Sequence, residues 1–340
     1  MIPLRIGIPR ALLYYRYFPL WNTFFGELGT QVIVSRPSTR RVLEEGFKFA
    51  DDDDCIPVKT IFGHVLDLKD EVDYLFIPRL LSDSKQGYCC PRLAGLPEMI
   101  KYSVPNLPPM LDPFVDEKHR STRLSKSLSK VGRKLKSSFL EIRRAYDKAR
   151  EQQDQFHRCA RGGESVLDLM QALEKDGRFP NKPSADKKEG KSMKIGVIGH
   201  PYSLYDRLFN FDLLKRLKEA KASIYTQERV PGHIIDYHIQ NLKKDIYWTQ
   251  GREILGAALY FLESKAVDCF MYITCFSCGI DSMIEPLVAF RAKRSALPYI
   301  ALMIDEHTGI GGFTTRLEAF LDAARRRKFS SNDEHGTPWA

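Results

Sequence analysis

Three of the seven cysteines stand where a helix is expected to begin. Cys55 precedes the run Ile-Pro-Val-Lys, Cys90 precedes a proline, and Cys278 precedes a glycine. They are 35 and 188 residues apart, so no local finger or ferredoxin-type run explains them, and only two domains meeting could unite them. Thiolates gathered from such positions suit a soft metal centre, with iron–sulfur as the leading candidate. The partial positive charge of a helix N-terminus also favours a thiolate over a thiol.

The elements that must position these cysteines are predicted to form two similar halves. Each half opens on a short apolar strand, near Arg5 and near Lys194, and continues through a helical stretch to a second short strand. Short apolar runs alternating with amphipathic stretches are typical of a parallel sheet with crossover helices. The expected fold class is α/β, with two doubly wound parallel-sheet domains. In such sheets ligands gather at the carboxyl ends of the strands, where Cys90 and Cys278 are expected to lie.

Five segments are predicted along the chain. Residues 1–115 form an N-terminal α/β domain, 116–178 a basic helical insert, and 193–327 a C-terminal α/β domain. Residues 179–192, rich in Pro and Lys, are expected to be a linker, and 328–340 a flexible tail. In the insert, a second helix is expected from about Ser165 to Lys175. Before it, spacing by threes and fours predicts one long helix whose apolar stripe is Leu124, Leu128, Val131, Leu135, Phe139, Ile142 and Tyr146.

The net charge of +9 is concentrated in that insert. Twelve Lys or Arg and only two acidic residues fall between Lys118 and Arg150, so this segment carries +10 and the remainder −1. Without a binding motif, this pattern favours a solvated or protein-docking face over a nucleic-acid site.

No apolar run reaches the roughly 20 residues of a membrane span. The start of the chain resembles a strand rather than a signal peptide, and an odd cysteine count favours a reducing cytoplasm over a disulfide framework.

Several polar residues near the predicted strand and helix ends are further candidates. Lys59 lies one turn after Cys55, where a cation would offset the charge of a metal centre. His200 opens a loop after the first strand of the second half, which favours a place near the ligand. Glu306 and His307 follow an apolar strand abruptly and are the best candidates for acid/base groups or for partners of the ligands. His64 is left open between packing and function. Cys159 and Cys269 are expected to be packing residues.

Several short motifs follow one another in a fixed order along the chain. They are Ile6–Leu12, Cys55–Lys59, Gly63–Val65, Cys90–Pro91, Gly199–Asp206, Cys278–Ser282, Asp305–Gly309 and Thr315–Phe320. Together they resemble the motifs of the 2-hydroxyacyl-CoA dehydratase and benzoyl-CoA reductase superfamily, and the resemblance runs from residue 2 to about residue 323. The chain looks most like the free-standing, double-cubane-like activase-related proteins of that superfamily.

This resemblance implies two Rossmann-like domains and a cluster held between them. In relatives, three cysteines hold a 4Fe–4S cluster with one open iron, and double-cubane relatives hold an 8Fe–9S cluster instead. Carried onto this chain, the ligands are Cys55, Cys90 and Cys278. Cys89 and Cys275 are additional thiols close to these positions, which could supply a further ligand, support a larger cluster, or simply be small buried residues.

The resemblance also implies an activity and a partner. Dehydratases remove water from 2-hydroxyacyl-CoA and reductases reduce aromatic thioesters, both with electrons from a separate ATP-dependent activase. No Gly-x-x-x-x-Gly-Lys-Ser/Thr loop occurs here, so electrons would have to come from such a partner. The first hypothesis is a cytoplasmic iron–sulfur enzyme subunit acting on acyl-CoA. The alternative is a non-catalytic accessory or electron-transfer subunit. The sequence leaves open a homodimer or a heterodimer with a related subunit.

Overall fold

The chain folds into two compact units, each with its own parallel sheet. A computed structural model describes residues 2–179, 192–295 and 297–333. Within that range, the first unit comprises residues 2–179 with 243–252, and the second comprises 192–242 with 253–333. Both units are α/β with helices flanking parallel strands, which confirms the predicted fold class of two Rossmann-like parallel-sheet domains.

The first unit is built on a four-stranded parallel sheet of order β2-β1-β3-β5. Its strands are β1 (Arg5–Ile8), β2 (Gln31–Val34), β3 (Tyr74–Phe76) and β5 (Met110–Leu111). A separate parallel pair is formed by β4 (Arg79–Ser82) and β6 (Phe114–Asp116). The helices are α1 (Tyr14–Glu27), α2 (Arg40–Phe47), α3 (Ile56–Leu68), α4 (Pro91–Ser103), α5 (Leu124–Lys134), α6 (Phe139–Arg161) and α7 (Val166–Asp176).

The second unit repeats this order in its own sheet, β8-β7-β9-β10, again with every strand parallel. The strands are β7 (Lys194–Gly199), β8 (Ser223–Thr226), β9 (Cys269–Cys275) and β10 (Tyr299–Ile304). The helices are α8 (Pro201–Tyr205), α9 (Leu213–Glu219), α10 (Gly232–Gln240), α11 (Thr249–Ser264), α12 (Gly279–Arg294) and α13 (Ile310–Asp333). The first turn of α11, up to Arg252, belongs to the first unit. The strand order changes direction between β1 and β3 in the first sheet and between β7 and β9 in the second. Ligands bind at such switch points in open α/β sheets.

The single long helix predicted in the insert is wrong, because the chain breaks into α5 and α6. Lys136 adopts a left-handed backbone conformation (φ 62°), which ends the first helix. Ser138 then starts the second through a capping box with Glu141, in which each side chain bonds the other residue's backbone N–H. The turn leaves Phe139 at 72% exposure, outside the apolar stripe to which its spacing assigned it.

Three residues of the stripe, Leu128, Val131 and Ile142, are buried, and this burial allows a stability test. Leu128 is completely buried, whereas Phe139 is largely exposed. We expect Leu128→Asp to lower the free energy of unfolding by about 3 kcal/mol or more, because it removes a core side chain and buries an unpaired charge. Phe139→Asp should change it by less than about 0.5 kcal/mol. Urea unfolding of the two variants measures both values, and equal destabilisation would contradict this packing.

The other predicted segments agree with the structure only in part. The second helix of the insert is confirmed as α7, with Ser165 as its N-cap. Most of the predicted linker, at 180–191, and the end of the predicted tail, at 334–340, lie outside the described residues. The start of that tail is helical, since α13 continues to Asp333. Among the helices of the described residues, none combines the length and apolar character needed to cross a membrane.

Candidate metal centre

The switch point of the second sheet gathers several reactive side chains. Strands β7 and β9 are neighbours there; His200 directly follows β7, and Cys275 ends β9. Cys278 lies three residues further on and is the N-cap of α12, as predicted from the sequence. Gly199 permits this close approach, since it adopts φ 155° and an added Cβ would lie 2.6 Å from the carbonyl oxygen of Ile273 in β9.

Three of these side chains form a buried cluster. The ligand atoms of His200, Cys278 and Asp281 all lie within 4.8 Å of one another, and all three residues are buried. His200 Nε2 is 3.2 Å from Asp281 Oδ1 and 3.6 Å from Cys278 Sγ. The backbone N–H of Asp281 also points to the Cys278 sulfur, at 3.5 Å. The Cys278 sulfur therefore has two N–H groups close to it, and sulfur is a ligand that soft metals prefer.

Asp281 holds this cluster in place. Its Oδ1 accepts a hydrogen bond from the Tyr272 hydroxyl at 2.7 Å, and its Oδ2 accepts one from the backbone N–H of Cys275 at 3.1 Å. Burial disfavours protonation of His200, but the carboxylate of Asp281 and the sulfur of Cys278 outweigh it and raise the pKa of His200 well above its ordinary value. The arrangement therefore favours an imidazolium at His200, next to the side chains of Asp281 and Cys278.

The other two predicted ligands lie in the first unit, again as N-caps. Cys55 caps α3, with Pro57 in the first turn, and Cys90 caps α4, which begins with Pro91. Both cysteines are half-buried. The two helix starts are linked, because Arg92 Nη1 lies 2.9 Å from Asp54 Oδ1. Burial raises the pKa of Asp54, although the Arg92 guanidinium opposes this rise. The predicted placement of all three cysteines at helix starts is therefore confirmed.

Comparison with known proteins adds a family. Residues 5–230 match the family model described as CoA enzyme activase uncharacterised domain (DUF2229), which is about two thirds of the chain. The chain belongs to this family. The matched region contains Cys55, Cys90 and His200, and it ends before Cys278. A search of curated proteins finds no significant match. The resemblance to CoA-dependent dehydratases and their activases is thus confirmed at the level of the CoA enzyme activase family.

Two side chains that the sequence predicted to lie near the metal ligands, Lys59 and Cys89, make other contacts in the first unit. Lys59 is buried, and its Nζ donates to the carbonyl oxygen of Asp52 at 2.8 Å. It therefore ties down the acidic loop before Cys55. Cys89 is buried in the core, and this burial, together with the carboxylate of Asp83, raises the pKa of its thiol. That environment suits a protonated thiol better than a metal ligand.

The remaining candidates fall in different places. Glu306 and His307 are exposed in the turn after β10, where the backbone N–H of His307 donates to Asp305 Oδ1 at 2.9 Å. They do not belong to the buried His200–Cys278–Asp281 cluster. Cys275, by contrast, is close to that cluster, with its sulfur 3.2 Å from Ser203 Oγ.

His64 has a packing role within the first unit. Its ring nitrogens lie 2.9 Å from Ser35 Oγ and 3.0 Å from Ser38 Oγ. Burial lowers the pKa of this histidine to about 3, so the ring stays neutral. Its two serine partners join α3 to the loop that follows β2.

Sequence reasoning missed Asp281 as a functional residue. Its signal was its place three residues after Cys278, since this position in the first turn of a helix returns to the capping residue. It also missed Tyr272, whose inward direction depends on the strand register. None of the seven cysteines, all within the described residues, forms a disulfide.

Proposed function

We propose that this chain is a cytoplasmic iron–sulfur protein of the 2-hydroxyacyl-CoA dehydratase type. In this proposal Cys55, Cys90 and Cys278 hold one 4Fe–4S cluster, or part of an 8Fe–9S cluster, and an ATP-dependent activase reduces it. The observation that carries the proposal is that all three cysteines are N-caps of helices in a member of the CoA enzyme activase family. The proposal requires the cysteines of both units to meet on the same cluster.

The donor set fits a cluster of this kind. Iron–sulfur clusters are bound by thiolates, and a helix N-terminus stabilises negative charge on a capping sulfur. Around Cys278, the backbone N–H of Asp281 and the ring of His200 can both donate to sulfur. Hydrogen bonds to ligand sulfurs are a main determinant of cluster potential. When bound, such a cluster supplies one-electron transfer at low potential and, with an open iron, a position for a substrate oxygen.

The protein's own residues have distinct tasks in this proposal. Asp281 orients His200, and His200 balances the negative charge that Cys278 and its ligand would bring into a buried site. The Asp54–Arg92 ion pair fixes the starts of α3 and α4, and therefore the backbone positions of Cys55 and Cys90. Lys59 stabilises the loop before Cys55 through the Asp52 carbonyl.

The direct test is the composition of the anaerobically purified protein. We expect iron and acid-labile sulfide in equal or nearly equal amounts, with an EPR signal after reduction. A protein that binds no iron during anaerobic reconstitution with ferrous iron and sulfide would overturn the cluster proposal. Four irons per chain would favour a single cubane, and about eight would favour the double-cubane alternative.

Partner dependence is a separate prediction. The chain carries no phosphate-binding loop of the Gly-x-x-x-x-Gly-Lys-Ser/Thr type, so a partner must energise the electron. With dithionite alone we expect little turnover of a 2-hydroxyacyl-CoA. Addition of the cognate activase, ATP and Mg²⁺ should raise turnover. Turnover is measured by chromatography as the loss of 2-hydroxyacyl-CoA. If the cluster forms and no activase stimulates turnover, the chain is instead an accessory or electron-transfer subunit.

A further inference from the structure

Helix α12 packs on the sheet of the second unit through one face. Ile284 and Val288 on this face are buried, and Glu285 beside them accepts a hydrogen bond from the Tyr299 hydroxyl of β10 at 2.9 Å. In a helix that covers a sheet, the opposite face is normally polar, because it meets water. The opposite side of α12, its outer face, departs from this rule.

Large apolar side chains occupy the outer face of α12. Met283, Leu287 and Phe290 follow one another at spacings of four and three residues, so they share one side of the helix. Their exposed fractions are 55%, 45% and 56%. A helix that is apolar on both faces is expected to be buried on both, and an exposed apolar stripe marks an interaction site. The outer face is therefore a surface for a partner.

The spacing along the outer face suits a partner that presents a helix. Gly279, Met283, Pro286 and Phe290 are separated by four, three and four residues, and all four are exposed. Steps of this kind are those of helices that pack side by side, in which each side chain enters a gap on the facing helix.

The C-terminal end of the outer face is basic. Arg291, Lys293 and Arg294 form the last turn of α12, and all three are exposed. The Arg294 guanidinium lies 4.9 Å from the centre of the Phe290 ring, which places this positive charge directly beside the apolar side chains. Cations in a last turn also complement the dipole of their own helix.

The N-terminal end of the outer face is acidic. The chain that leads into α12 lies against the end of β10, because the backbone N–H of Phe276 donates to the carbonyl oxygen of Ile304 at 2.9 Å. Asp305 and Glu306 directly follow Ile304, and Glu306 is exposed. The two ends of α12 therefore carry opposite charges.

We propose that the outer face of α12 binds the same face of a second copy of this chain, with the two helices antiparallel. Two-fold symmetry then brings the basic end of each helix to the acidic end of the other. A parallel arrangement would place the three cations of one copy against those of the other, and like charges repel. The outer face thus complements itself, as a two-fold dimer requires. This interface goes beyond the proposed function, because it involves neither cluster nor substrate.

Sedimentation velocity of the full chain over a range of concentrations tests this interface. We expect a species with twice the 39.1 kDa mass of the chain, which dissociates on dilution. Phe290→Asp should raise the Kd of the dimer by about 100-fold or more, because both copies lose an apolar anchor and place a charge in the interface. Phe139→Asp is the matched control, since Phe139 is also an exposed phenylalanine but lies on α6 of the first unit, and it should leave the Kd unchanged.

Charge reversal tests the antiparallel arrangement. Arg294→Glu and Glu306→Arg should each raise the Kd by about 10-fold, because each places like charges opposite one another at both symmetric contacts. The double variant exchanges the two charges and should recover a Kd close to that of the unmodified protein. A merely structural effect of either substitution would not be recovered in this way.

Three results would overturn the interface. A protein that stays monomeric at its highest soluble concentration would assign the outer face to a different protein. Equal dimerisation of Phe290→Asp and the unmodified protein would place the dimer contact elsewhere on the chain. Dissociation of both single charge variants without recovery in the double variant would contradict the antiparallel pairing.

Discussion

Cys278→Ala is expected to leave the protein without a stable iron–sulfur cluster. Cys278 is the N-cap of α12, and its sulfur faces His200 and the backbone N–H of Asp281. Alanine removes the thiolate, and no other side chain at that position can replace it. Cys55→Ala and Cys90→Ala should have the same effect, because each removes one of three proposed ligands. Iron and sulfide content after anaerobic reconstitution, together with the EPR spectrum, measures the loss.

Two buried cysteines provide the matched controls for that experiment. Cys159 and Cys269 are 3% and 0% exposed, and burial raises the pKa of Cys269 to about 12. Their alanine variants remove a sulfur from the core and should cost about 1 kcal/mol of stability while keeping the full iron content. If Cys278→Ala retained its iron while Cys55→Ala and Cys90→Ala lost theirs, the ligand set would lie in the first unit and the three-cysteine proposal would be wrong.

Gly63→Ala is expected to cause the largest loss of stability from a single methyl group. Gly63 lies in α3, and an added Cβ would be 1.9 Å from the carbonyl oxygen of Val42 in α2. Both partners of this overlap are fixed to helical backbone, so only displacement of one helix can relieve it. We expect a loss of about 3 kcal/mol or more, at the upper end of what overpacking costs. For a chain with units of this size, the melting temperature should fall by about 6–12 °C.

Displacement of α3 by Gly63→Ala should also weaken iron binding, because α3 begins directly after Cys55. We therefore expect Gly63→Ala to bind less iron at a temperature where it is still folded. Gly95→Ala is the control, since Gly95 lies inside α4, the helix that begins at Cys90, and an added Cβ meets nothing within 4 Å. That variant should gain up to about 1 kcal/mol through helix propensity and keep its iron. A Gly63→Ala protein as stable as Gly95→Ala would show that α2 and α3 do not pack this closely.

Much of the fold could be predicted because local sequence patterns specify it. Short apolar runs mark the strands β1, β3, β7 and β9, and proline or glycine after cysteine marks the starts of α3, α4 and α12. These signals act over a few residues, through hydrogen bonding, backbone conformation and burial of one face. The parallel sheets follow from them, since helices between the strands require crossover connections.

The break between α5 and α6 shows where such a pattern becomes ambiguous. The apolar spacing continues through Leu135 and Phe139 as if a single helix ran on. Ser138 and Glu141 form a capping box that competes with this continuation, and the left-handed residue Lys136 turns the chain. Periodicity alone therefore assigned Phe139 to the buried face, although the turn leaves it in solvent.

The sequence by itself determined the α/β class, the two similar halves and the helix-capping positions of Cys55, Cys90 and Cys278, because each depends on neighbouring residues. Only the tertiary structure decided that His200 lies beside Cys278. His200 is 78 residues away along the chain and reaches Cys278 because β7 and β9 pair side by side. Such contacts arise from packing between distant segments, and no local pattern encodes them.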